Sequence, residues 1–217
     1  MKIAILGGTG AEGSGLGFRW AAAGHTILIG SRTAEKAETA AAELNAKLPE
    51  SAPDVIGLDN PSAAEQAELI VLSVPYSAQE PTLEAIKHAV EDKIIVSVVV
   101  PLKPPKVARV WRPEGGSAAE EAQAVIGDSA RVVAAFQNIS AHHLMDLDHE
   151  IDCDVLICGD KAADKEVVED LCAAAGMRGV NAGALVNSSV IEGMTAVLIG
   201  INIRNKVKDA GIRITGI

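Results

Sequence analysis

A run of six residues near the amino terminus has the spacing of a phosphate-binding turn. Gly8-Thr9-Gly10-Ala11-Glu12-Gly13 matches G-x-G-x-x-G, between an apolar run, Ile3 to Leu6, and a helix-compatible stretch, Leu16 to Ala23. In this context the first glycine permits a tight turn, the second lets the backbone approach a pyrophosphate, and the third lets helix and strand pack closely. Free N–H groups and the positive end of the helix dipole favour an anion at the same point. The spacing predicts that a dinucleotide binds here.

The second apolar run, His25 to Ile29, is followed by hydroxyl groups and cations instead of a carboxylate. An NAD site would place Asp or Glu there to accept a hydrogen bond from the ribose 2′-hydroxyl. This chain has Gly30-Ser31-Arg32-Thr33 and then Lys36, which suit a 2′-phosphate. The sequence therefore predicts NADP as the cofactor. The alternative is a glycine-rich turn and a solvated arginine that bind no ligand.

The composition limits the class of protein and its location. Hydrophobic residues make up 48% of the 217 residues but aromatic residues only 2%, so the core must consist of Ala, Val, Ile and Leu, as in parallel strands buried on both faces. The net charge of −10 argues against a nucleic-acid or anionic-membrane partner. Three scattered cysteines predict buried thiols in a reducing compartment. With no signal-peptide pattern and no apolar run that approaches a membrane span, we expect a cytoplasmic protein.

Strand and helix patterns alternate along the first two-thirds of the chain. The predicted strands are Ile3–Leu6, Thr26–Ile29, Val55–Leu58, Leu69–Val74, Ile94–Val100 and Val132–Phe136. This alternation predicts an α/β fold, a Rossmann-type doubly wound and mostly parallel sheet, with a small C-terminal α/β extension. We expect residues 1–150 to form the NADP-binding Rossmann domain and residues 151–217 to form a small part for substrate binding and dimerisation.

Ligands of such sheets bind outside the carboxyl ends of the strands, so the residues that follow the last three strands are candidate walls for a nicotinamide or a substrate. These residues are Ser73-Val74-Pro75-Tyr76, Val99-Val100-Pro101-Leu102 and Phe136-Gln137-Asn138-Ile139-Ser140. The two prolines have a second interpretation, since a proline ends a strand simply because it cannot donate to the ladder.

A long basic stretch without a helix or strand pattern runs from Pro101 to Gly116. It holds Lys103, Lys106, Arg109 and Arg112, with no acidic residue before Glu114. Long loops in compact domains are usually functional or disordered. The stretch could meet an anionic substrate, or it could be a solvated flexible loop.

The C-terminal third contains a strand at Val155–Cys158, a helix at Ala163–Ala175 and a mostly apolar helical run from about Leu185 to Val207. A helix that is apolar on so much of its surface is expected to be buried, and a homodimer interface would bury it. His142, His143 and His149 lie among several Asp residues, but their spacing fits no metal-binding pattern. We interpret that segment as a solvated acidic loop and predict no metal site.

Several of these segments together resemble one known family, the NADPH-dependent coenzyme F420 reductases, also called F420:NADP oxidoreductases. The segments are Gly7-Gly8-Thr9-Gly10, Ile29-Gly30-Ser31-Arg32, Val74-Pro75, Val100-Pro101, Cys153-Asp154-Val155, Cys158-Gly159-Asp160 and Gly211-Ile212-Arg213-Ile214-Thr215-Gly216. The resemblance covers essentially the whole chain. It implies a homodimeric oxidoreductase that reversibly transfers a hydride between NADP(H) and the small-molecule substrate F420, from the nicotinamide C4 to C5 of the deazaflavin and back.

The resemblance also implies roles for individual residues. Thr9 and Gly10 would contact the pyrophosphate, and Ser31, Arg32 and Lys36 would hold the 2′-phosphate. Val74 and Pro75 would line the nicotinamide, and Val99, Val100 and Pro101 would border the deazaflavin. After Phe136 the family usually has His, whereas this chain has Gln137-Asn138. We expect Gln137 to orient the deazaflavin by donating a hydrogen bond, with no acid–base catalytic residue.

Two other functions fit the same motifs. One is a reductase of flavins or ferric chelates that uses NADPH, because the cytosolic domains of transmembrane metalloreductases resemble this family. The other is a non-catalytic NADPH sensor that reports the redox state to a partner protein.

Overall fold

A six-stranded parallel sheet in the order β3-β2-β1-β4-β5-β6 forms the centre of the computed structural model, which describes residues 1–217. The strands are β1 (Lys2–Leu6), β2 (Thr26–Ser31), β3 (Ile56–Asp59), β4 (Leu69–Leu72), β5 (Ile94–Ser97) and β6 (Arg131–Ala134). The strand order reverses between β1 and β4, which places a crevice at the carboxyl ends of these two strands. The predicted Rossmann-type fold is confirmed.

Helices cover both faces of the sheet. They are α1 (Ala11–Ala22), α2 (Ala34–Asn45), α3 (Asn60–Gln66), α4 (Tyr76–Ile86), α5 (Ala118–Ile126), α6 (Ala162–Ala174) and α7 (Ser188–Asn205). Alternate residues of β1 enter different cores: Ile3 and Ile5 pack with α1, α2 and α6, whereas Ala4 and Leu6 pack with α3, α4, α5 and α7. The aliphatic core predicted from the composition is confirmed on the face of α3, α4, α5 and α7, whereas the core on the other face also contains Phe18, Trp20 and Phe136.

The C-terminal residues add a second, two-stranded sheet. Strands β7 (Asp154–Ile157) and β8 (Arg178–Asn181) pair in parallel, and one antiparallel bridge joins Ala134 at the end of β6 to Cys158. The Asp154 carboxylate accepts hydrogen bonds from Arg178 at 2.8 and 2.5 Å, and this pairing lowers the pKa of Asp154 to about 2. Cys153, Cys158 and Cys172 are buried free thiols, as predicted.

Three strands end earlier than their sequence patterns predict. Strand β4 ends at Leu72, β5 at Ser97 and β6 at Ala134, two or three residues before the ends predicted from the sequence. The chain leaves the regular ladder there: Pro75 and Pro101 cannot donate to it, and Phe136 has a φ of +74°. The extra residues therefore form loops at the carboxyl edge of the sheet.

The apolar C-terminal helical run spans Leu185–Asn205, close to its predicted bounds. Within the 21-residue run Leu185–Asn205, an 18-residue window has a mean hydropathy of 1.4, enough by length and composition alone to cross a membrane. This corrects the expectation that no apolar run approaches the length of a membrane span. The helix also carries a buried carboxylate, Glu192, which accepts from the backbone N–H groups of Ala118 and Ala119 at the start of α5. Part of this helix therefore packs as a core helix of the α/β fold.

Candidate dinucleotide and hydride-transfer site

The turn between β1 and α1 is built from glycines that cannot carry a side chain. A Cβ on Gly7, whose φ is +73°, would lie 2.5 Å from the Ser73 carbonyl oxygen, and a Cβ on Gly8 would lie 2.7 Å from that of Ile5. A Cβ on Gly13 would lie 2.9 Å from the Gly8 Cα. The turn, the start of α1 and the segment after β4 are therefore in close contact, as the G-x-G-x-x-G interpretation requires.

Gly10 differs from the other glycines of the motif because its side-chain position is open. A Cβ there would meet only the Gly7 carbonyl oxygen, at 3.7 Å. Gly10 is the N-cap of α1 and no side chain caps the helix; the first helical bond is from Ser14 N–H to Gly10 O. The N–H groups of residues 11–13 have no backbone acceptor, and free N–H groups at a helix start suit a pyrophosphate. The turn fits the dinucleotide phosphates.

Glu12 places a carboxyl group in the first turn of α1, next to this anion site. Its Oε1 atom is buried and has no hydrogen-bond partner, and burial raises its pKa from 4.5 to about 8. A side chain with this pKa is mostly uncharged at neutral pH, so Glu12 does not add a full negative charge beside the phosphates.

The end of β2 presents the predicted 2′-phosphate ligands. Ser31 is buried, whereas Arg32, Thr33 and Lys36 are partly or fully exposed at the start of α2, where Thr33 is an N-cap whose hydroxyl caps nothing. Arg32 and Lys36 form no ion pair within the chain. The acidic residue nearest in register is Asp59, which pairs with Ser31 across the sheet, but its carboxylate caps α3 by accepting from Ser62 N–H and Oγ–H at 2.9 and 2.8 Å. Arg32 and Lys36 are therefore without an ion-pair partner in the chain, whereas the Asp59 carboxylate already accepts hydrogen bonds from Ser62.

The segments after β4, β5 and β6 run side by side beyond the last strand residues. Ser73 N–H donates to Leu6 O, Val98 N–H to Leu72 O and Ala135 N–H to Ser97 O, at 2.9, 3.1 and 3.2 Å. The structure therefore brings the three predicted walls to one edge of the sheet. Of the predicted wall residues, Val74 and Val100 are half-buried and Pro75 is exposed, whereas Val99 and Pro101 are buried.

Gln137 and Asn138 point into the protein. Gln137 Nε2 donates to Ser97 O at 2.7 Å, and Asn138 Nδ2 donates to Asp154 O at 2.6 Å. Their side-chain oxygens, Gln137 Oε1 and Asn138 Oδ1, are buried and have no hydrogen-bond partner, and the same is true of Ser97 Oγ. Because one Nε2 hydrogen of Gln137 already binds Ser97, the atom that Gln137 leaves entirely unpaired is an acceptor, not the donor that the sequence suggested.

Arg19 is a structural residue of this region that the sequence analysis missed. It is buried on α1, and its guanidinium donates to five backbone carbonyls, those of His143, Leu144, Asp146, His149 and Ala175. These bonds anchor the backbone of the His142–His149 segment, and the rings of His143 and His149 stack at 3.8 Å. The side chains of Asp146 and Asp148 are exposed, as predicted for a solvated acidic loop. An arginine between Phe18 and Trp20, in the apolar stretch Leu16–Ala22 of α1, was the signal that could have identified Arg19.

Comparisons with known proteins agree with this geometry. Residues 2–101 match the family described as "NADP oxidoreductase coenzyme F420-dependent". The F420-dependent NADP reductase of Methanocaldococcus jannaschii is 44% identical, with 100% of this chain and 99% of the relative covered. The enzyme of the same name from Methanothermobacter thermautotrophicus is 41% identical, with 100% and 96% covered.

A solved structure has the same fold over the whole chain. It comes from Arthrobacter sp. FB24 and carries a provisional F420-dependent NADP-reductase name; the TM-score is 0.82 at 26% identity, with 100% of both chains covered. Together with the full-length relatives, the glycine turn and the basic end of β2 give one conclusion. The chain belongs to the family of F420-dependent NADP reductases.

Proposed function

We propose that this protein is an oxidoreductase that reversibly transfers a hydride between NADP(H) and the deazaflavin coenzyme F420. The observation that carries the proposal is the pairing of the glycine turn with a β2 end whose cations form no ion pair and whose register-paired carboxylate, Asp59, accepts hydrogen bonds from Ser62. Full-length relatives named F420-dependent NADP reductase supply the second substrate.

In this proposal the amino-terminal half binds NADP(H). The backbone from Gly8 to Gly13 holds the pyrophosphate at the start of α1, and Ser31, Arg32, Thr33 and Lys36 hold the 2′-phosphate. Charge-assisted hydrogen bonds from the arginine to phosphate are the strongest single contacts available there. Val74 and Pro75 line the nicotinamide.

The ends of β5 and β6 position the deazaflavin. When both ligands are bound, a hydride passes between C4 of the nicotinamide and C5 of the deazaflavin. The part of the protein is to align the two rings and to exclude water, because direct hydride transfer needs orientation more than an ionisable side chain. Val99, Val100 and Pro101 border the deazaflavin, and Gln137, which is held by Ser97 O, supports the orientation of the ring.

The direct test of this function is turnover. Mixing the protein with NADPH and F420 should bleach the absorbance band of oxidised deazaflavin, and adding NADP to reduced F420 should restore it. Tight NADPH binding without F420 reduction would favour an NADPH sensor, and reduction of free flavin or ferric chelates instead of F420 would favour the other class of reductase.

The protein is also proposed to be a homodimer. Several apolar side chains of α7 remain exposed in the single chain, including Val190 and Ile203, each 66% exposed. An exposed apolar stripe of this kind is typical of a subunit interface. Light scattering at micromolar concentration should show a dimer, and Val190→Asp should convert it to a folded monomer. A wild-type protein that is monomeric in this measurement would contradict the proposal.

We also propose a role for each part of the chain and a location for the protein in the cell. Residues 1–150 are proposed as the NADP-binding unit and residues 151–217 as the unit that completes the substrate side and carries the dimer face. Three buried free thiols support a reducing, cytoplasmic environment.

A further inference from the structure

The basic loop from Pro101 to Gly116 lies next to the proposed nicotinamide wall. It starts where the chain leaves β5 and contains no helix or strand. Its Trp111 ring stands edge-on to the ring of Tyr76, with 5.6 Å between centroids, and Tyr76 directly follows Pro75. On its other side, a Cβ on Gly193 of α7 would lie 3.2 Å from Val110 Cγ1. The loop is therefore held against the fold at the substrate edge.

The charges of this loop have no partners within the chain. Lys103, Lys106, Arg109 and Arg112 are all exposed, and none of them forms an ion pair or a side-chain hydrogen bond, although the chain has 29 acidic residues and a net charge of −10. Lys103 Nζ lies 5.1 Å from the centroid of the Trp111 ring. A cluster of four unpaired cations in an acidic protein is a local attraction for an anion.

The loop also encloses space for a ligand. A groove of about 390 Å³ is lined by Lys103, Lys106, Arg109, Trp111 and the two prolines between the lysines. Its walls thus offer three cations together with apolar surface. This combination suits a flexible chain that carries several negative charges.

The phosphates of NADP are assigned to a different part of the sheet. The pyrophosphate belongs to the end of β1 and the 2′-phosphate to the end of β2, whereas the loop follows β5. In the strand order β2-β1-β4-β5, β5 is three strand spacings from β2, roughly 14 Å. The loop therefore faces the second substrate.

We propose that the Pro101–Gly116 loop binds the anionic tail of the deazaflavin substrate, a phosphodiester followed by glutamate carboxylates. This inference rests on the proposed function, because it assumes that F420 is the second substrate. The ring is bordered by Val100 and Pro101, and the tail continues along the loop that these residues begin. Lys106 and Arg109, which are exposed and line the groove, provide the main charge contacts.

The test compares substrates with and without the tail. The double variant Lys106→Gln/Arg109→Gln removes two exposed cations, and its matched control, Lys47→Gln/Lys87→Gln, removes two cations that follow α2 and α4 at the opposite edge of the sheet. KM is measured for F420, for the tailless deazaflavin ribitol compound and for NADPH. Circular dichroism melting of each variant verifies that the fold is intact.

Exposed charge contacts are each worth up to roughly fivefold in affinity. The loop variant should therefore raise the KM for F420 about tenfold, leave the KM for the tailless compound and for NADPH within about twofold, and reduce the salt dependence of the KM for F420. The control variant should change none of these values.

Other outcomes separate the failure of this inference from the failure of the proposed function. If the loop variant changes the KM of both deazaflavins equally or of neither, the loop does not bind the tail, although the reductase function stands. A rise in the KM for NADPH alone would assign the loop to the dinucleotide and overturn the inference. If the wild-type protein reduces neither deazaflavin, the proposed function itself is wrong and this inference is wrong with it.

Discussion

The dinucleotide turn, Gly7–Gly13 with the end of β2, and the β5–β6 edge, Val98–Pro101 with Ala135–Asn138, lie on the same side of one sheet but are built differently. The turn is made of backbone: glycines in close contact and free N–H groups at a helix start. The edge is made of buried side chains, with three unpaired oxygens on Ser97, Gln137 and Asn138. A backbone site depends on a few local residues, whereas a side-chain site depends on contacts between distant segments.

The largest effect is expected at Gly10, where the contrast between folding and binding is sharpest. Gly10→Val should reduce NADPH affinity by at least about a thousandfold, because its side chain would occupy the space of the pyrophosphate. The melting temperature should hardly change, since φ is −80° and the nearest atom to a Cβ is 3.7 Å away. Gly8→Val is the matched comparison: it should destabilise the fold, because its Cβ would clash with Ile5 O. Calorimetric titration and melting distinguish the two, and an unfolded Gly10→Val protein would contradict this account.

The next effect depends on pH and concerns Glu192 of α7, whose carboxylate accepts from the N–H groups at the start of α5. Burial raises the pKa of Glu192 from 4.5 to about 7, although it accepts from two backbone N–H groups. The folded protein therefore holds a proton that the unfolded chain releases near pH 4.5, so stability falls as pH rises from about 4.5 to 7 and is level above that range. The shift corresponds to about 3 kcal/mol.

Glu192→Gln has no such proton to lose. Urea denaturation at pH 5 and pH 7.5 should show a smaller loss of unfolding free energy for Glu192→Gln than for the wild type, while the exposed-site control Glu91→Gln should behave like the wild type. A loss that is the same in all three proteins would mean that Glu192 is already ionised at pH 5.

Arg32 tests the cofactor assignment on the turn side. Arg32→Ala should weaken NADPH binding about ten- to hundredfold, the loss of roughly 1.5–3 kcal/mol from a charge-assisted contact, and should leave NADH binding unchanged. Lys47→Ala, an exposed cation at the opposite edge, should change neither. Equal use of NADH and NADPH by the wild-type protein would refute the NADP assignment.

The smallest effect is expected for Gln137, which tests whether the β5–β6 edge orients the substrate ring. Gln137→Ala should lower kcat about tenfold, because the ordering of the substrate ring is lost while no acid–base group is removed. The KM for NADPH should remain unchanged, and the primary deuterium isotope effect on kcat should rise. Gln137→His, the residue usual in the family, should retain activity, and Gln66→Ala on the surface serves as the control. A Gln137→Ala enzyme with full activity would exclude an orienting role.

The difference between the local turn and the edge built from distant segments also explains which features could be predicted from the sequence. Gly8, Gly10 and Gly13 between a strand and a helix predict their own environment, because the turn is local. Strands β4, β5 and β6 were predicted to be two or three residues too long, because the periodicity of a sequence does not show where hydrogen bonding to the neighbouring strand stops. The inward direction of Gln137 was not predictable either, because its partner, Ser97, is 40 residues away.

Long-range polar contacts were missed for the same reason. Arg19 binds carbonyls more than 120 residues away, so its spacing in the sequence says nothing about its partners. The apolar α7 was interpreted as buried, yet several of its side chains are exposed in the single chain. That exposure becomes interpretable only once the helix has been placed on the fold.

The central claim is that the turn and the edge hold two rings close enough for direct hydride transfer, and isotope transfer tests it most directly. NADPH that carries deuterium at the transferring C4 position is mixed with F420 and the enzyme in ordinary water, and the reduced F420 is analysed by mass spectrometry and NMR. We predict one deuterium at C5 of the deazaflavin. Reduced F420 that contains only solvent hydrogen at C5 would contradict direct transfer between the two sites.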